Sequence, residues 1–140
     1  MRITRKYEID MGHRIKKHGG KCKHLHGHRY VIEATIEGGV VKEGPGEGMV
    51  VDFGNVKAIM AEVLDNYDHS LCLQKDDPLA QMLRGMVPVI MLDEPPTAET
   101  LARIWAEAIS QRITGLVRLV VYETPNCWAE WVRDEENSDR

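Results

Sequence analysis

From residue 29 to residue 37 apolar and polar side chains alternate, with Val31 the one exception. Tyr30, Ile32, Ala34 and Ile36 fall on one face, and Arg29, Glu33, Thr35 and Glu37 on the other. A two-residue period sends successive side chains to opposite sides of a strand, so this segment is predicted to be half-buried β-structure. Residues 116–123 read as a more apolar strand, with 128–132 as its hairpin partner across Thr124-Pro125-Asn126-Cys127. Residues 2–12 alternate more loosely through Ile3, Tyr7 and Ile9.

Two helical stripes lie between these strands. Val56, Ile59, Met60, Val63, Leu64 and Tyr67 repeat at three- and four-residue spacing behind Asp52, a predicted N-cap, and this helix is expected to end near Asn66. Leu101, Ile104, Trp105, Ala108 and Ile109 repeat in the same way behind Thr97, with Glu99 placed to favour the first turn. Residues 70–96 carry the weakest pattern. Pro88 interrupts the apolar run 87–92, which predicts an edge strand or a loop.

The order strand, strand, helix, helix, strand, strand predicts an α+β domain: a four-stranded antiparallel sheet with two helices on one face. The two open edges of such a sheet invite pairing with another chain, so a homo-oligomer is expected. A length of 140 residues suits one domain, placed at 1–133, followed by a polar, frayed tail at 134–140. No apolar run reaches membrane length, and the opening residues do not read as a secretory leader. Three widely spaced cysteines, Cys22, Cys72 and Cys127, do not form a disulfide framework, which points to a cytoplasmic protein.

Five of the six histidines fall between positions 13 and 28. His26 and His28 are two residues apart, so on a strand both reach the same ion, and His13 can supply a third nitrogen. Three neutral imidazoles suit Zn²⁺ and leave a fourth position open, the mark of a catalytic rather than a structural site. His24 shares the parity of His26 and His28, and His18 lies nearby, so spacing alone does not settle the ligand set. Cys22 is near enough to act on a metal-held group; as a fourth ligand it would instead close a structural site. The lysines and arginines of this stretch lack interleaved aromatics and the chain is net acidic, at −4, so nucleic acid is not the expected partner. Asp68-His69 is a pair in which the carboxylate can orient the imidazole, although the residues alone favour a helix-end pair without chemistry. Glu123, at a strand end, could accept two hydrogen bonds from an amidine-like ring edge.

His13, Cys22-x₃-His26-x-His28, Asp52-Phe53, Asp68-His69, Pro96-Thr97-Ala98-Glu99 and Glu123-Thr124 occur in an order that resembles the 6-pyruvoyl-tetrahydropterin synthase family, over residues 3–132. The three-residue spacer after Cys22 resembles its 6-carboxy-tetrahydropterin synthase branch. The resemblance implies the tunnelling fold, with subunit sheets joined into a barrel, trimers stacked in pairs, and active sites between subunits. It implies a lyase that converts 7,8-dihydroneopterin triphosphate to 6-carboxy-5,6,7,8-tetrahydropterin, releasing acetaldehyde and triphosphate and feeding 7-deazaguanine and queuosine synthesis. The sister activity keeps the side chain; a zinc-stapled binding module is the non-enzymatic alternative. Within that picture His13, His26 and His28 would hold zinc and Cys22 would abstract a proton. Asp68 and His69 would form a second acid–base pair, and Glu123 would anchor the pterin with Thr97, Ala98 and Glu99 framing its edge. Arg14 and Lys16, with Lys17 and Lys21, match the charge of a triphosphate. Residues 74–94 are longer than the short bacterial pattern and could reshape the pocket or a subunit contact.

Overall fold

Two long strands pair along their full length. In the computed structural model, which describes residues 1–135, β1 (Arg2–His13) runs antiparallel to β2 (His26–Glu37), with His13 opposite His26 and Met11 opposite His28. The expected tail beyond residue 135 lies outside the described residues. After β2 come α1 (Phe53–Leu64), β3 (Ser70–Gln74), α2 (Pro78–Leu83), β4 (Val89–Leu92), α3 (Ala98–Ser110), β5 (Leu116–Thr124) and β6 (Cys127–Val132).

The sheet has six strands, in the order β4-β3-β1-β2-β5-β6, not the expected four. The four expected strands form its antiparallel part. β3 adds parallel to β1, and β4 parallel to β3, so the sheet is mixed. The extra strands come from the segment with the weakest pattern. Cys72 and Leu73 are adjacent and both fully buried, so β3 shows no alternation to read. β4 is the outermost strand, as an edge strand just after Pro88 should be.

One face of the sheet carries the core. Tyr30, Ile32, Ala34 and Ile36 are all buried there, as their spacing predicted. α1 buries Val56, Met60 and Leu64 and ends at Leu64, slightly short of the expected end; Asp52 caps it by accepting from the Gly54 N–H at 2.6 Å. α3 buries Leu101, Trp105 and Ile109, and Thr97 accepts from the Thr100 N–H at 3.1 Å. Each fully buried leucine or isoleucine contributes about 1.5–3 kcal/mol. The opposite face is charged: Arg29 bridges Glu8 and Asp10, and Arg118 meets Glu130. No helix among the described residues is long and apolar enough to cross a membrane.

β3 meets β1 only at Met11–His13. The outer side of β1 from Arg2 to Ile9 therefore pairs with no strand among the described residues. Gly115, at the entry to β5, has φ +92°, and a Cβ there would sit 2.5 Å from the Glu37 carbonyl oxygen. Gly115→Ala is expected to cost about 1–3 kcal/mol, read as a lower urea midpoint, because strain and a backbone clash act together; an unchanged midpoint would count against this account of the turn.

Candidate metal centre

The β1–β2 register builds the site. His13 ends β1, and His26 and His28 open β2 opposite and diagonal to it. Strand parity places all three on the helix-covered face, with Ile9, Met11 and Tyr30. Their ligating atoms lie within 4.8 Å of one another. The His13 Nδ1–H donates to the Pro96 carbonyl at 2.8 Å, and the His26 Nδ1–H to the His24 carbonyl at 2.7 Å. In neutral rings this leaves both Nε2 lone pairs bare, and they face each other at 3.1 Å. Two bare lone pairs at that distance repel unless a cation lies between them. Metal–nitrogen bonds of about 2.0–2.1 Å would put tetrahedral nitrogens roughly 3.3 Å apart, so the trio fits a divalent transition metal. The backbone carbonyls that fix the tautomers are the outer support such ligands need.

Burial holds His13 below the ordinary histidine value; the Pro96 carbonyl and Glu123 oppose it, and the other two imidazoles add to it. His28 is lowered too, first by burial, with Glu123 opposing. Protonation of both groups therefore favours the unfolded chain. Their contribution to stability is full above the unfolded value near 6.5 and is lost as pH falls from there through the lowered folded values. Metal-free protein should accordingly melt at progressively lower temperature from pH 7 to pH 5, and metal-loaded protein should lose its ion over the same range. Thermal scans with and without chelator check this; a flat metal-free profile would contradict it.

Glu123 reaches the same site, with Oε2 3.9 Å from His28 Nε2. The N-terminus of α3 lies beside it, because the carbonyl that holds His13 belongs to Pro96, one residue before the cap Thr97. Thr97 and Ala98 are thus close to the trio, and Glu99 is exposed on the first turn. Cys22 is half-buried on a short 3-10 turn (Lys21–Lys23) and is not part of the three-histidine group. His18 and His24 are outside that group as well; His18 Nδ1 accepts from the Gly20 N–H at 2.8 Å.

Asp68 and His69 form a second cluster, with Asp10. His69 Nδ1 lies 3.0 Å from Asp68 Oδ1, and its backbone N–H donates to the Asp10 carbonyl at 2.7 Å, holding the residue at φ +60°. The Asp10 N–H donates to Asp68 at 2.9 Å, and this bond first of all, with His69 and Arg29 adding, holds Asp68 below the usual carboxylate range. Asp10 and Arg29 point to the uncovered face, so within one chain this cluster lies across the sheet from the metal trio. A cleft of about 500 Å³, lined by Asp10, Gly12, Gly27, Arg29, His69 and Pro88 among others, opens beside it.

Arg14 and Lys16, matched to a triphosphate from the sequence, are occupied within the chain: Arg14 forks onto Asp77, and Lys16 Nζ lies 2.7 Å from Asp76. The sequence reading missed the Pro96 carbonyl, because a backbone acceptor leaves no trace in residue type. It also missed Asp77, for which Asp77-Pro78 was a readable helix-start signal. Cys72 is fully buried and its thiol is pushed up to about 12 by desolvation, so it is inert; Cys127 is exposed.

Fold and site together define a tunnelling-fold domain with a three-histidine centre. The 6-pyruvoyl tetrahydropterin synthase family model matches residues 2–134, so the chain belongs to that family. A Rickettsia bellii protein named 6-carboxy-5,6,7,8-tetrahydropterin synthase is 39% identical over 93% of this chain and 99% of its own length. A Halobacterium salinarum protein named a probable 6-carboxy-5,6,7,8-tetrahydropterin synthase is 36% identical over 86% of this chain and 79% of its own. An uncharacterized protein of Wolinella succinogenes superposes with a TM-score of 0.81 at 19% identity, covering 96% of this chain and 98% of that one. The 6-pyruvoyl tetrahydropterin synthase of Caenorhabditis elegans superposes at 0.70 and 24%, covering 96% of both. These likenesses bear out the α+β tunnelling fold, with six strands in place of four.

Proposed function

We propose that this protein is a zinc-dependent carbon–carbon lyase. It converts 7,8-dihydroneopterin triphosphate and water to 6-carboxy-5,6,7,8-tetrahydropterin, which feeds 7-deazaguanine and queuosine synthesis, and releases acetaldehyde and triphosphate. The observation that carries this is the convergence of three imidazoles, two with bare Nε2 lone pairs, beside the carboxylate of Glu123. The names of the curated relatives support the choice of branch.

His13, His26 and His28 would hold the zinc, which when bound supplies Lewis acidity toward the substrate's side-chain oxygens. Glu123 accepts two N–H groups from the pterin edge, a charge-assisted fork that fixes the ring, and backbone groups at Thr97 and Ala98, with Glu99, frame the other side. Cys22 takes the proton from the side chain, and Asp68–His69 forms the second acid–base pair. That pair lies across the sheet from the metal trio of its own chain, so it serves a neighbouring subunit's substrate, and the working form is a homo-oligomer, a dimer of trimers. The unpaired outer side of β1, Arg2 to Ile9, is the edge that receives β6 of the next subunit. With Arg14 and Lys16 paired internally, the exposed Lys17 and Lys21 are left to meet the triphosphate.

The test is turnover by zinc-loaded protein of dihydroneopterin triphosphate, with acetaldehyde and pterin products followed together. Acetaldehyde with a carboxypterin is the expected result. A pyruvoyl product without acetaldehyde would move the protein to the sister activity, and zinc binding without turnover would overturn the enzymatic reading.

A further inference from the structure

Residues 74–83, which no step above uses, grip the loop that carries Cys22. The Asp77 side chain is 1% exposed, and a carboxylate buried so completely is costly unless it is paired. Arg14 supplies the pairing as a fork: its Nε donates to Asp77 Oδ2 at 2.6 Å and its Nη2 to Oδ1. The same Oδ1 accepts from the Leu79 N–H at 2.9 Å and so caps α2. Two residues along, Lys16 Nζ meets Asp76 Oδ1 at 2.7 Å. Between these two cations sits Ile15, whose N–H donates to the Cys22 carbonyl at 2.7 Å. Three consecutive residues therefore tie the loop down, the outer two to the start of α2 and the middle one to the cysteine itself. His13, immediately before Arg14, is held separately, by the Pro96 carbonyl.

We propose that Asp77 is a positioning residue which, through the Arg14 fork and the Ile15–Cys22 hydrogen bond, sets where the Cys22 thiol stands. The catalytic consequence rests on the role given to Cys22 above; the positional claim does not. The plainer role, stabilising α2 by capping, is separable, because asparagine caps as well as aspartate but cannot hold the charged fork.

The experiment uses the full-length, zinc-loaded protein in a Cys127→Ser background, with Asp77→Asn and Arg14→Lys. The rate of iodoacetamide alkylation at Cys22 is read by peptide mass spectrometry, with buried Cys72 as the internal control, alongside kcat and KM. Asp77→Asn should stay folded and zinc-loaded, change the Cys22 alkylation rate by about tenfold or more, and lower kcat by about a hundredfold with KM within about twofold. Arg14→Lys keeps the charge but not the fork and should fall between the two. Folded Asp77→Asn with a wild-type alkylation rate would overturn the proposal. If that variant does not fold, Arg14→Lys decides in the same way: an intermediate rate supports the clasp and a wild-type rate overturns it. If the parent protein shows no turnover, the lyase reading fails while the alkylation rates still decide this one.

Discussion

His13→Ala protein is expected to come out metal-free and without measurable turnover. His13 is the most buried of the three histidines, at 2% exposure, and its ring is fixed by the Pro96 carbonyl on one nitrogen and faces His26 with the other. Removing it leaves two half-buried histidines, too few for a tetrahedral centre with an open position. It also removes the donor to the Pro96 carbonyl and opens a cavity next to Tyr30, whose ring centroid is 5.9 Å from that of His13. The loss in stability should be about 2–4 kcal/mol, the combined scale of a core truncation and an orphaned acceptor. Metal analysis by plasma emission, thermal scans and the acetaldehyde assay check the three parts separately. His69→Ala is the control: its side chain belongs to the cluster across the sheet, so it should keep a full complement of metal while losing activity. Stoichiometric metal in folded His13→Ala would remove this histidine from the ligand set.

The contrast between these two histidines also explains what could be read from the chain and what could not. That His26 and His28 share one face of β2 was legible in the sequence, because a strand's parity is a local property. α1 and α3 were legible for the same reason, through Val56, Met60 and Leu64 in one and Leu101, Trp105 and Ile109 in the other, whereas the six-residue α2, a third helix beyond the two expected, is too short to show such a stripe. The capping residues Asp52 and Thr97 act within two or three positions of themselves, so they too could be named in advance. β3 and β4 could not. They are strands of five and four residues, and they exist only because β1 offers a pairing edge at Met11–His13 and a short helix returns the chain parallel to it. The pairing of Arg14 with Asp77 spans 63 positions and is likewise a tertiary fact, which is why a basic loop was matched to a phosphate when its first arginine was already engaged. The pairing of Asp10 with Asp68 and His69 joins β1 to the end of α1 and had no sequence signal at all.

Cys22→Ala should separate the two roles open to that thiol more sharply than any other single change. The three histidines form a group with their ligating atoms within 4.8 Å, and Cys22 is not in it. The alanine variant is therefore expected to keep its metal and its melting temperature, since Cys22 is only half-buried on a surface 3-10 turn and contributes little to the core. The Ile15–Cys22 hydrogen bond uses the backbone carbonyl and survives the substitution. On the role proposed for Cys22, what disappears is the proton acceptor, and the loss of a positioned base lowers turnover by about 10²–10⁴-fold. Cys22→Ser should fall at the same low level, because a hydroxyl is a far weaker base than a thiolate at neutral pH. Substrate binding, measured by calorimetry with the unreactive oxidised neopterin triphosphate, should be unchanged within about threefold, because the pterin contacts assigned to Glu123 and the α3 N-terminus remain. A variant that instead releases its metal would show the sulfur completing a closed tetrahedral site, and the protein would then be a zinc-stapled binding module and not a lyase.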